Sequence, residues 1–286
     1  MTEITVIIPV YNEKNVVLDT IASVEEGLKA IDHEIIVVND GSTDSDYEFV
    51  LAKGCRLLKN KKNSGYGASL KKGIIAANSE WIGIIDADGT YNGKEFKNLW
   101  EIKNRSQADM IVGARSGWKS KIPLIRRPAK FILNQLANYL SESKIPDLNS
   151  GLRIFKKDLA MKYLHLFPNG FSLTTTITLS ALCNNHDVEF TEIEYHRRKG
   201  KSKIRPIHDT KEFFLTVIRT ILYFNPLKVC VPLSFIFGFI SIFVLLFSHF
   251  KLHRIMDGTV SVFAMMSIQA FVLGLLADLF VRRSEK

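Results

Sequence analysis

Two long runs near the C-terminal end contain no Asp, Glu, Lys or Arg: 22 residues from Val229 to Phe250 and 20 from Gly258 to Ala277. A helix of roughly 20 apolar residues is long enough to cross the hydrocarbon core of a bilayer. Spans at about 229–250 and 258–281 are therefore expected. The alternative, two helices buried in a soluble bundle, requires other parts of the chain to cover them, because both runs are apolar on every face. A short turn with Lys251, His253 and Arg254 separates the runs, and the pair reads as a transmembrane hairpin.

The flanks suggest an orientation. Lys201, Lys203, Arg205, Lys211, Arg219 and Lys228 precede the first run, and Arg282, Arg283 and Lys286 follow the second. Cations collect on the cytoplasmic side, so both termini are expected in the cytosol. The chain begins with a polar, strand-like segment, and no signal peptide is expected. Between 206 and 228, Phe214, Val217, Ile218, Ile221 and Leu222 share one helical face, while Glu212, Thr216, Arg219 and Thr220 share another. This pattern fits an amphipathic helix in the membrane interface, or a helix packed on the preceding domain.

Composition adds two exclusions. The net charge is +9 and mean hydropathy is +0.07, with 47% hydrophobic residues, so there is ample material for a core and disorder is excluded. Three scattered cysteines, Cys55, Cys183 and Cys230, exclude a disulfide scaffold and a cysteine metal site.

Residues 1–205 alternate short apolar runs with helical patterns. Strands are expected at Ile4–Val10, Glu34–Val38, Arg56–Leu58, Trp81–Ile85 and Met110–Val112, with a helix from about Lys14. Apolar strands separated by helices imply an α/β domain with a parallel sheet covered on both faces. Ligands of such sheets bind beyond the carboxyl ends of the strands.

Polar residues gather at those ends. Tyr11-Asn12-Glu13 follow the first strand, Asn39-Asp40-Gly41-Ser42-Thr43-Asp44 the second, and Asp86-Ala87-Asp88-Gly89 the fourth. Asp-Gly-Ser-Thr-Asp is also a turn and helix-capping pattern. Asp86 and Asp88 are more pointed. Two carboxylates one residue apart repel unless a cation joins them, and their hard oxygens suit Mg²⁺ or Mn²⁺ shared with substrate phosphates. Asn63-Ser64-Gly65-Tyr66-Gly67-Ala68 precede a helix with Lys71 and Lys72. Gly65 and Gly67 would let backbone approach a ligand. A dinucleotide fingerprint is excluded, because Leu70 stands where a third small residue is needed and Tyr-Asn-Glu follows the first strand.

Pro9-Val10-Tyr11-Asn12-Glu13, Asp40-Gly41-Ser42-Thr43-Asp44 and Asp86-Ala87-Asp88-Gly89, in this order, resemble the family 2 glycosyltransferases of GT-A fold. The resemblance covers most of 1–205 and implies a Rossmann-like nucleotide-sugar domain. It implies that Pro9, Tyr11, Glu13 and Asp40 hold the nucleotide, joined by Gly65, Gly67, Lys71, Ala87 and Arg115. It also implies that Asp86 and Asp88 serve the diphosphate and its metal.

Asp147-Leu148-Asn149-Ser150-Gly151-Leu152-Arg153 resembles a segment of dolichyl-phosphate mannose synthases and related polyprenyl-phosphate glycosyltransferases. Arg197-Arg198-Lys199-Gly200-Lys201-Ser202-Lys203 resembles their Arg-x-x-Gly-x-Ser-Lys run. The same basic run could instead be a juxtamembrane patch drawn to anionic lipid. An acceptor phosphate site is expected from Arg126, Arg127, Ser150, Arg197, Arg198, Ser202 and Lys203, with Asp86, Asp88, Arg127 and Arg197 as the catalytic set.

The segment Phe171-Ser172-Leu173-Thr174-Thr175-Thr176, where many relatives acting on hydroxyls carry a carboxylate base, has no Asp or Glu. An alcohol needs a base as it attacks. A lipid monophosphate, with a second pKa near 6, is already largely ionised. Thr90-Tyr91 departs from the Leu-Gln common in the mannose synthases, which leaves the sugar open.

The expected activity is inverting transfer of a hexose from a nucleotide-diphosphate sugar, of GDP-mannose or UDP-glucose type, to a dolichyl or undecaprenyl phosphate. It would take place at the cell membrane, or at the endoplasmic reticulum membrane in a eukaryote. Transfer to a hydroxyl of a glycolipid or glycan is the alternative enzyme reading, and a sugar-nucleotide sensor or scaffold the non-enzymatic one. A homo-oligomer or a flippase partner would be compatible. Nucleic acid is excluded as a partner, since the cations gather beside the spans with no aromatic-interleaved groove.

Overall fold

The computed structural model describes residues 2–115, 135, 137–139, 142–170, 172–196, 215–216, 218–220, 222–251 and 256–284. The chain forms two compact units, Met1–Val217 and Ile218–Lys286.

The first unit is built on β1 (Ile4–Val10). Side chains of a strand alternate between faces, and both faces of β1 are buried. Ile4, Val6, Ile8 and Val10 join Val17, Ile21 and Val24 of α1 (Val17–Gly27) and Phe96, Leu99 and Trp100 of α3 (Glu95–Arg105) in one cluster. Ile7 faces the other way, towards α2 (Tyr66–Ala76). There Gly73 lets the helix lie close, for a Cβ on it would stand 2.5 Å from Ile7 Cγ2. Full burial of such side chains contributes about 1.5–3 kcal/mol each, which accounts for the continuous apolar character of this strand.

The remaining strands are β2 (His33–Asn39), β3 (Arg56–Lys59), β4 (Trp81–Ile84), β5 (Met110–Arg115), β6 (Arg153–Lys156) and β7 (Val188–Ile193). Their order in the sheet is β3-β2-β1-β4-β6-β5-β7. The expectation of a parallel sheet is corrected at β6, which runs antiparallel to both β4 and β5. Arg153 pairs with Ile84 on one side and Val112 on the other. The first residue of β6 therefore lies beside the last residue of β4 and the middle of β5. The reversal matters for function, because it brings the loop 147–152 to the edge where the acidic motifs sit. Beyond β6, α4 (Lys157–Lys162) and α5 (Leu173–Cys183) lead to β7, which is parallel to β5.

The second unit contains α6 (Leu227–Lys251) and α7 (Asp257–Ser284), each long and apolar enough to cross a membrane. Large apolar side chains such as Phe235, Phe239, Phe243, Ile268, Leu279 and Phe280 are more than half exposed, which does not fit helices covered in a soluble bundle. The helices meet along small residues, as expected where backbones must approach closely. Ser234 Oγ donates to the carbonyl of Ser267 (2.8 Å), Ser267 Oγ to that of Ser234 (2.9 Å) and Ser241 Oγ to that of Val260 (2.9 Å). Gly274 lies against Cys230. Ahead of α6, residues 218–220 and 222–224 are helical. Arg219 and Leu222 are exposed and Thr220 is buried.

Candidate active site

The carboxyl ends of β1 and β2 are laced together by their own polar groups. Asn12, with a left-handed φ of 54°, accepts the Thr43 N–H on Oδ1 (2.8 Å), and its own N–H donates to Ser42 Oγ (3.1 Å). The Lys14 N–H donates to Asp44 Oδ2 (3.0 Å), and the Glu13 N–H donates to the Tyr47 hydroxyl (2.7 Å). Burial pushes the Tyr47 phenol up to about 12, so it remains a neutral donor to Asp44. Pro9, Tyr11 and Glu13 are half-buried along this seam.

Asp40 is buried and serves the chain itself. Its Oδ1 accepts from Asn60 Nδ2 (2.8 Å) and the Ser64 N–H (2.9 Å), and its Oδ2 accepts from the Gly65 N–H (2.9 Å). Free N–H groups at a helix start need partners, and Asp40 supplies them just ahead of α2. The next donors go to the 168–170 turn: the Gly67 N–H to Gly170 O (3.2 Å) and the Ala68 N–H to Asn169 O (3.1 Å). A Cβ would stand 2.4 Å from Asn169 O at Gly65 and 2.2 Å from Pro168 O at Gly67. The expected close approach of these glycines to a ligand is thus an approach to this turn. The Lys71 ammonium, expected at the nucleotide sugar, donates to Phe167 O of the same region (3.0 Å).

At the end of β4, Asp86 and Asp88 are half-buried and Ala87 between them is buried. Asp86 Oδ1 accepts from the Tyr66 hydroxyl (2.7 Å). Asp88 Oδ1 accepts from the Thr90 N–H (3.1 Å) and the Thr90 hydroxyl (2.6 Å), around Gly89 in a left-handed turn. Gly65 bonds to Asp40 and Tyr66 bonds to Asp86, so two consecutive residues tie the β2 acid to the β4 acid.

The loop before β6 closes the site. Asp147 takes Arg115, the last residue of β5, in a buried bidentate pair, Nε to Oδ2 at 2.5 Å and Nη2 to Oδ1 at 2.7 Å. Burial opposes the guanidinium charge, but the bonds to Asp147 outweigh it and hold Arg115 above its ordinary range. Arg115 also lies over the Tyr195 ring (5.3 Å), which packs edge-on against Tyr91 (5.3 Å). The Gly151 N–H donates to the Tyr91 hydroxyl (2.8 Å). Thr175 of α5 hydroxyl-bonds to Asn149.

Arg153 is fully buried behind this loop. Its Nη2 donates to Ser150 O (2.5 Å), and its Nη1 donates to Thr174 O (2.9 Å) and Thr178 Oγ1 (2.7 Å). Burial pushes it down to about 10, offset at longer range by Tyr66, Asp147, Tyr91 and Asp86. Ser150, expected at an acceptor phosphate, is itself fully buried, with its carbonyl committed to Arg153.

The structure therefore gathers Pro9, Tyr11, Glu13, Asp40, Gly65, Asp86, Ala87, Asp88 and Arg115 along one sheet edge. Arg126, Arg127, Arg197, Arg198, Ser202 and Lys203 lie outside the described residues. Reading the sequence did not single out Tyr66, Tyr91, Asp147 or Arg153 as parts of the site. Each lies in or beside a stretch that the sequence marks: Tyr66 between Gly65 and Gly67, Tyr91 just after Asp86–Gly89, and Asp147 and Arg153 at the two ends of one motif.

The family described as glycosyl transferase family 2 matches residues 5–164, and the chain belongs to it. Dolichyl-phosphate beta-glucosyltransferase of Dictyostelium discoideum is 27% identical over 187 residues, which are 58% of this chain and 56% of that one. Dodecaprenyl-phosphate galacturonate synthase of Rhizobium johnstonii is 25% identical over 165 residues, 55% of this chain and 48% of that one. The chain spans about half the length of these two relatives. Among solved structures, glucosyl-3-phosphoglycerate synthase of Mycobacterium tuberculosis, in complex with Mn²⁺, uridine diphosphate and glucosyl-3-phosphoglycerate, has a TM-score of 0.63 at 15% identity. It covers 77% of this chain and 80% of that one. The sheet is thus of the GT-A kind, and the protein is a family 2 glycosyltransferase.

Proposed function

We propose that this glycosyltransferase moves a hexose from a nucleoside-diphosphate sugar to a polyprenyl phosphate at a membrane surface, inverting the anomeric carbon. The observation that carries the reading is the position of His196. Its N–H donates to Thr90 O at 2.9 Å, two residues beyond Asp88, and Arg197 is the next residue in the chain. In sequence, the cationic run that would receive a lipid phosphate thus follows directly on a residue tied to the loop after Asp88. The names of the relatives and the two apolar helices support the same reading, with the first unit and both termini on the cytosolic side.

Asp86 and Asp88 suit a divalent cation. Both offer hard oxygens, and among the described residues no group of three His, Cys, Asp or Glu side chains forms an all-protein cage. Such a pair fits Mg²⁺ or Mn²⁺ completed by substrate phosphates. Bound there, the cation would neutralise the diphosphate leaving group. The chain's own part is positioning. The laced β1 and β2 ends form a firm floor for the nucleotide. The Arg115–Asp147 pair and the buried Arg153 fix the loop that backs Asp86. Among the described residues of 172–176 there is no carboxylate to act as a base, which suits an acceptor that arrives ionised.

The test uses the full chain in lipid nanodiscs with a panel of nucleotide sugars, offering polyprenyl phosphate or the free polyprenol, with mass spectrometry of the lipid. Glycosylated product is expected from the phosphate alone. Equal transfer to polyprenol or to a glycolipid hydroxyl would overturn the proposal.

A further inference from the structure

Asp86 touches two groups to which the sequence motifs give no role. On one side the Tyr66 hydroxyl donates to Oδ1 at 2.7 Å. Tyr66 is the first residue of α2, and Asp40 pins the N–H of its neighbour Gly65, so the phenol is delivered from a fixed piece of backbone. On the other side lies Gly151. A Cβ there would stand 2.2 Å from Asp86 Oδ2, 2.6 Å from Cγ and 2.8 Å from Oδ1. The carboxylate therefore rests against the Gly151 α-carbon. Gly151 is absent from the residues of positive φ, so glycine is required here for space rather than for backbone conformation. The Tyr91 hydroxyl, accepting the Gly151 N–H, holds that wall in place.

We propose that Tyr66 and Gly151 form a cradle that sets the orientation of the Asp86 carboxylate towards the divalent cation, with Tyr66 as a positioning residue. This rests on the reading of Asp86 and Asp88 as cation ligands. The hydroxyl commits one lone pair of Oδ1, and Gly151 limits how far the carboxylate plane can turn. The remaining lone pairs then face a restricted set of directions. A carboxylate free to rotate would lose entropy on binding the cation, and one already oriented loses less. Hydrogen-bond partners of metal ligands typically change metal affinity by about 10–100-fold when removed.

The experiment measures Mn²⁺ binding by electron paramagnetic resonance on the full chain in nanodiscs, with UDP and GDP in separate titrations. Four proteins are compared: unsubstituted, Tyr66→Phe, Gly151→Ala and Asp86→Asn. Tyr66→Phe removes only a hydroxyl. Gly151→Ala reads the other wall, and the three atoms nearest its added Cβ all belong to the Asp86 carboxylate. Both should weaken Mn²⁺ binding by roughly 10-fold or more with the fold retained, and Asp86→Asn should lose it. If both cradle variants bind Mn²⁺ as the unsubstituted protein does while Asp86→Asn does not, the cradle is overturned and the cation site stands. If Asp86→Asn binds normally, or the unsubstituted chain binds no Mn²⁺ with either nucleotide, the cation reading falls and the cradle with it.

Discussion

The acid at the end of β2 and the acids at the end of β4 occupy equivalent places in neighbouring parts of one sheet, yet they are used differently. Asp40 gives three hydrogen-bond acceptances to its own chain, from Asn60, Ser64 and Gly65. Asp86 accepts from Tyr66 of α2 and rests against Gly151, and Asp88 accepts from Thr90. The end of β5 resembles that of β2, since Arg115 is committed to Asp147. A carboxylate at a strand end is therefore not by itself a sign of chemistry. Bonds from its own backbone and a neighbouring amide on both oxygens mark Asp40 as an architectural acid, whereas the proposed role of the acid pair is at the cation.

This contrast predicts that architectural acids cost stability when changed, whereas the acid pair costs activity. Unfolding of the first unit can be followed by tryptophan fluorescence, because all three tryptophans precede residue 218. The largest stability effect is expected at Asp147→Ala. It removes the bidentate partner of the buried Arg115 guanidinium, and breaking such a pair costs about 3–5 kcal/mol. A denaturation midpoint close to that of the unsubstituted chain would break the comparison at the β5 end. Next comes Asp40→Asn, which sets an amide NH₂ against one of three donors. Leaving one buried donor unsatisfied costs about 1–3 kcal/mol, and transfer by the folded fraction should persist. Loss of transfer without loss of stability would move Asp40 into the chemical group. The smallest effect is expected at Tyr47→Phe, which removes the acceptor of the Glu13 N–H and should cost about 1 kcal/mol in the same assay. A much larger loss would mean that the β1–β2 seam depends on this one phenol.

Much of this arrangement was legible in the residues alone. The β1 span of Ile4–Val10 and the start of β4 at Trp81 follow from continuous apolar runs bounded by polar turns. The two C-terminal helices follow from charge-free length. What stayed hidden has physical reasons. β6 has only four residues and begins with Arg153, a cation that nothing in the sequence marks as fully buried. β7 carries Glu189 and Glu192 along an edge strand, so its pattern is too polar to register as a sheet element. Gly65 and Gly67 pack against the 168–170 turn, some 100 positions further on. Sequence spacing cannot report such a contact. For the same reason Lys71, near in sequence to the glycine-rich loop, serves the carbonyl of Phe167.

In the proposed function Asp88 serves the cation and the diphosphate more than it serves the fold. The most direct test is Asp88→Asn in the full chain, with the denaturation midpoint and sugar transfer to polyprenyl phosphate measured on one preparation. The substitution keeps an oxygen for the Thr90 donors, so the midpoint should be unchanged. Transfer should fall by about 100-fold or more, the scale of losing one electrostatic stabiliser of the transition state. Transfer at the unsubstituted rate, or a loss of transfer that merely follows a loss of folding, would contradict the account.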